Sequence, residues 1–152
     1  MNVEDTMANE VEATNATSNN VDEKSFEVLV YSDNRDTRNE VMQSVGRRVA
    51  KGLPPINWTE AATWEGAYLL VEENQYDMLI LDGEAAKLGG IGFGKMVRDE
   101  LDPNMPFVIL IGRPQDEWLA RVANPNQILE HPIDPRSLSA SVAEILKEKV
   151  RN

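Results

Sequence analysis

The chain has 152 residues, of which 41% are hydrophobic and 27% charged, with no cysteine, one histidine and a formal net charge of -11. That length supports one well-buried core, and the lack of cysteine excludes disulfides and thiolate metal sites, so any metal must sit on oxygen ligands or His131. The acidic balance opposes binding to nucleic-acid backbones, and no apolar run approaches the ~20 residues that span a bilayer.

Residues 1–25 are rich in Asn, Glu, Asp, Thr and Ala, show no sustained period, and read as a disordered acidic tail. They contain neither a basic stretch nor an apolar stretch of the secretory kind, so the expected location is the cytoplasm. From Phe26 onward, short apolar runs alternate with amphipathic stretches. FEVLVYS (26–32) is a predicted strand, and residues 36–49 a helix with Val41, Val45 and Val49 on one face, broken by KGLPP. INWTEA (56–61) is a weaker strand and residues 64–74 a helix facing inward through Ala67, Leu70 and Val71. YDMLILD (76–82) is the clearest strand. A glycine-spaced loop leads into a helix at 91–101 with Phe93 and Val97 inward.

PFVILIG (106–112) reads as a fourth strand, residues 115–122 as a short helix, and QILEH (127–131) as a fifth strand. The last helix should start at Asp134 as N-cap with Pro135 in its first turn, and bury Leu138, Val142, Ile145, Leu146 and Val150. Five alternations of strand and helix, with strands apolar throughout, predict a doubly wound five-stranded parallel sheet with helices on both faces, a flavodoxin-like α/β fold.

In such sheets the working crevice lies beyond the carboxyl ends of the strands, where the strand order reverses. The residues expected there are Ser32, Asp33 and Asn34, then Asp82, then Ile111 and Gly112, and finally His131: two carboxylates and one imidazole. Asp82 is the strongest candidate, since like-charged carboxylates are seldom gathered for stability alone. Ser32 reads better as a capping hydroxyl than as a metal ligand. GGIGFGKM (89–96) approaches a phosphate-binding loop but ends in Met96 where Ser or Thr should hold Mg²⁺, so its glycines are expected to serve packing and turns. With no catalytic dyad and no phosphate loop, an enzyme is not expected, and a small nucleotide-binding or flavodoxin-like enzyme is the remote alternative. Trp118 suits a protein contact if exposed and packing if buried.

VLVYSDN, YDMLILD, Gly90-Ile91 leading to Phe93, Val97 and Arg98, and His131-Pro132 fall in the order and approximate spacing of the CheY-like response-regulator receiver family, and the resemblance covers residues 26–150. It implies a receiver domain over 26–152 in a two-component phosphorelay, with Asp82 as phosphoacceptor. It further implies Mg²⁺ held by Asp33, Asp82 and the Glu84 backbone carbonyl, with Ser32 where the family has a second acid. Ile111, Gly112 and His131 occupy the phosphate-sensing positions, Trp118 and Ile128 the interaction face, and the His131–Pro132 bond is expected to be cis. The implied partners are a histidine kinase and a downstream effector protein, with a homodimer left open, no nucleic acid and no membrane insertion. With the fifth helix reaching the last residues, a DNA-binding output domain is not expected.

The departures point to a second reading. Ser32 replaces a carboxylate, which should weaken Mg²⁺. Ile111 removes a sensing hydroxyl, Ile128 an aromatic ring, and His131 substitutes a partly charged imidazole for a lysine. A pseudo-receiver, an interaction module independent of phosphorylation, is the alternative to the phosphorelay protein.

Overall fold

The computed structural model describes residues 24–151, so the predicted tail lies outside the described residues except for its last two positions. Five strands, β1 (Phe26–Tyr31), β2 (Ile56–Ala61), β3 (Met78–Asp82), β4 (Phe107–Ile111) and β5 (Gln127–Glu130), form one parallel sheet in the order β2-β1-β3-β4-β5. Between and after them lie α1 (Arg35–Val45), α2 (Trp64–Glu73), α3 (Gly90–Glu100), α4 (Glu117–Val122) and α5 (Pro135–Arg151).

The strands are apolar because the sheet is covered twice. Leu29, Tyr31, Leu79, Leu81, Phe107 and Ile109 point to a core shared with Ala67 and Val71 of α2 and Phe93 and Val97 of α3. Their neighbours Val28, Val30, Met78, Ile80, Val108 and Leu110 point to the opposite core, shared with Val41 and Val45 of α1 and Leu138, Val142 and Leu146 of α5. Each fully buried aliphatic side chain is worth about 1.5–3 kcal/mol, so the two central strands β3 and β4, buried at every position, anchor the sheet. The edge strands β2 and β5 are only partly covered, which accounts for the polar residues of INWTEA and QILE.

The expected helix over 36–49 ends earlier. Gly46 adopts φ 81 and its N–H closes on the Met42 carbonyl, so the helix stops at Val45 and Val49 packs half-buried from the following loop. A left-handed residue of this kind is the usual role of a C-terminal glycine. The inward stripe of α5 also stops short, because Val150 is 58% exposed. Seventeen residues of helix extend ~25 Å against strands of ~20 Å, and the last turn overruns the core. The N-terminal expectation for α5 holds: Asp134 accepts from Arg136 N at 3.2 Å and Ser137 Oγ at 2.8 Å, with Pro135 the first helical residue. The predicted helix at 115–122 resolves into a 3-10 turn, Pro114–Asp116, followed by α4. Among the described residues no helix is long and apolar enough to cross a membrane.

Chain order reverses at β1: the sheet grows to β2 on one side and to β3, β4 and β5 on the other. The crevice at the carboxyl ends of β1 and β3 is therefore the switch point.

Candidate functional site

Asp82 closes β3 and is 3% exposed. Burial of an ionised carboxylate is costly unless hydrogen bonds replace its water, and three donors converge on it. Ser32 Oγ donates to Oδ2 at 2.6 Å, the Glu84 backbone N–H to Oδ1 at 2.9 Å, and His131 Nε2 lies 3.2 Å from Oδ1. Ser32 is itself fully buried and receives the Asn34 N–H at 3.1 Å, while Asn34 caps α1 through its side chain. Burial acts against the Asp82 charge, but the hydrogen bonds from His131, Ser32 and the Glu84 amide outweigh it and hold the carboxyl below its ordinary range. The same hydrogen bond to Asp82 raises the His131 pKa against the opposing effect of burial. Each group of the Asp82–His131 pair thus favours the charged form of the other. The His131–Pro132 peptide is cis.

The other expected ligands are arranged differently. Asp33 is exposed, and its Oδ2 accepts the Ala86 N–H at 3.1 Å, tying the carboxylate to the loop after β3. The Glu84 side chain reaches across the crevice and accepts the Gly112 N–H at 3.2 Å. Among the described residues no group of three or more His, Asp or Glu side chains is placed to hold a metal ion. With both Asp82 oxygens engaged and Asp33 turned to a backbone amide, the donors in this arrangement do not fit a resident Mg²⁺.

Ile111 is 1% exposed at the end of β4 and its carbonyl accepts the His131 N–H at 2.8 Å. Ile128 packs half-buried against the core under α4. Trp118, by contrast, is 69% exposed, with Val122 at 62% and Leu119 at 45% beside it on α4. The outward face is therefore carried by the helix, with Ile128 lining a groove of about 280 Å³ together with Arg121, Gln127 and Glu130. The glycines of GGIGFGKM do serve packing: a Cβ at Gly90 would approach Leu81 Cβ to 2.8 Å, and one at Gly94 the Phe107 ring to 2.6 Å.

Tyr31 sits within an apolar strand pattern, yet it carries a polar link to the loop after β3. Its ring packs on Phe93 and its hydroxyl donates to the Leu88 carbonyl, and burial raises its pKa to about 12. The available signal was its chemistry, since a buried tyrosine hydroxyl needs a partner.

No family model matches the sequence. Two curated proteins described as uncharacterized response regulatory proteins, from two strains of Mycobacterium tuberculosis, are each 39% identical over 120 residues, covering 79% of this chain and 90% of theirs. The chain belongs to the response-regulator receiver family. Among solved structures, the Francisella response regulator 1452 receiver domain matches with a TM-score of 0.69 at 22% identity, covering 82% of this chain and 99% of that one. The Vibrio cholerae chemotaxis protein CheY4 matches with a TM-score of 0.67 at 20% identity, covering 81% and 100%. A CheY-like receiver domain protein from Methanospirillum hungatei gives 0.70 at 17% identity, covering 84% and 98%. At these identities the structural likenesses show the fold, and the curated relatives show the family.

Proposed function

We propose that this receiver is a cytoplasmic interaction module whose output is protein contact through α4 and its groove, working without a phosphorylation-driven switch. The observation that carries the reading is the closure of the Asp82 carboxylate, with Ser32 on one oxygen and the Glu84 amide and His131 on the other. The transmission route is short of parts as well: Ile111 can donate no hydrogen bond, and Ile128 has no ring to reorient. A ligand shifts a conformational equilibrium only by its differential affinity for the two states, and Ile111 and Ile128 offer neither the hydroxyl nor the ring through which it would be transmitted. The exposed Trp118 and Val122 supply the kind of apolar and aromatic surface that partner proteins cover.

Asp82 as phosphoacceptor for a histidine kinase is the second reading, favoured by one feature: the carboxylate is held ionised, as an attacking oxygen must be. Incubation with acetyl phosphate and Mg²⁺, read by intact mass and by the amide resonances of α4, separates the two. An unmodified mass and unchanged α4 resonances are expected. A phosphoryl adduct that Asp82→Asn abolishes, together with shifted α4 resonances, overturns the interaction-only reading in favour of the relay.

A further inference from the structure

The crevice holds an anion of its own making. Glu84 follows Asp82 by two residues, and its Oε2 lies 3.2 Å from the backbone nitrogen of Gly112, two residues beyond the Leu110 that is paired with Asp82 across β3 and β4. The contact is close on every side. A Cβ built on Gly112 would fall 2.5 Å from Glu84 Cδ and 2.8 Å from each of its oxygens, so the carboxylate lies against the glycine Cα and any other residue would displace it.

Although Glu84 is exposed, the loop that carries it is tied down. The Glu84 amide is bonded to Asp82, the Ala86 amide to Asp33, and the Leu88 carbonyl to the Tyr31 hydroxyl, while the Gly83 N–H donates to the Leu110 carbonyl at 2.7 Å. The loop is thus held from β1, β3 and β4 together.

We propose that the Glu84 carboxylate is a built-in occupant of the receiver crevice, taking the Gly112 N–H from incoming phosphate-like oxyanions and holding the loop after β3 closed over Asp82. This deepens the phosphorylation-independent reading and rests on it: the chain supplies internally the anionic contact that a phosphoryl group would otherwise bring. A backbone N–H at the mouth of the crevice is a donor that an oxyanion can use, and here the Glu84 carboxylate already occupies the one on Gly112.

The test uses the full chain and two variants, Glu84→Ala and Glu84→Gln, titrated with inorganic phosphate while the Gly112 and His131 resonances are followed by NMR. In the wild type the Gly112 amide should stay flat. In Glu84→Ala it should shift saturably, with at least tenfold tighter apparent binding. Glu84→Gln, which keeps the shape and an acceptor oxygen without the charge, should fall between the two. Equal phosphate binding by wild type and Glu84→Ala overturns the proposal, and so does a Gly112 amide that responds in none of the three while all remain folded by their amide dispersion. The broader reading fails on a different observable, the phosphoryl mass on wild-type Asp82 with shifted α4 resonances, so the two failures are told apart.

Discussion

Ser32 Oγ and Asp82 Oδ2, fifty positions apart in sequence, lie 2.6 Å apart in a site that water barely enters. A serine at this position turns the end of β1 from a second negative charge into a hydrogen-bond donor, and the buried carboxylate is thereby stabilised by its neighbour.

Ser32→Ala should accordingly destabilise the fold by about 1–3 kcal/mol, the cost of leaving a buried acceptor short of its partner. The Asp82 pKa should rise at the same time, because one of the hydrogen bonds that lowers it is gone. Urea unfolding, with carbonyl-carbon NMR titration of Asp82, measures both. An unchanged midpoint with an unchanged titration would show that solvent replaces the hydroxyl.

The Asp82–His131 pair gives the stability a pH dependence with two limbs. The folded-state pKa of His131 is raised above 6.5, so its contribution is fully present below 6.5 and is lost as pH rises through the raised value. Asp82 is depressed below 3.8, so its contribution is present above 3.8 and is lost as pH falls through the lowered value. Between these limits the pair is intact. NMR titration should place His131 above 6.5 in the wild type, and Asp82→Asn should move it downward, since burial then acts without the opposing carboxylate. A His131 pKa indifferent to Asp82→Asn would separate the two groups in solution.

The Asp33 carboxylate accepts the Ala86 amide and Ser32 adds no charge beside it, so Mg²⁺ should bind weakly and leave the wild-type Ser32, Asp82 and Ala86 amides nearly unmoved. Whatever binding is measured should disappear in Asp33→Asn and in Asp82→Asn, the two side chains that carry the charge a divalent cation needs. Mg²⁺ binding that survives both substitutions lies outside this crevice.

Removing residues 1–23 should leave the thermal transition nearly unchanged, because their composition offers little apolar surface to bury. Differential scanning calorimetry of the full and shortened chains decides it, and a fall of several degrees would assign the segment a part in the fold.

Apolar periodicity alone determined the layering of this protein. Strands that must be covered on both faces are written as unbroken apolar runs, and helices covered on one face as stripes such as Leu138, Val142 and Leu146. The same logic placed Asp82 and His131 at strand ends, and so in one crevice. Element ends were less legible: Gly46 stops α1 because of its φ, and Val150 escapes burial because of where the core ends, neither of which a period reports.

The partners of the polar groups were decided only by tertiary structure. Asp33 reads from sequence as a companion of Asp82 and also bonds the Ala86 amide, the Glu84 side chain reaches Gly112, and Tyr31 reads as core and also fastens the loop at Leu88. The physical reason is range. Hydrophobic burial is non-directional and averages over many residues, so its pattern survives in the sequence, whereas a hydrogen bond depends on tenths of an ångström and on direction. Those are fixed only once β1, β3 and β4 have met.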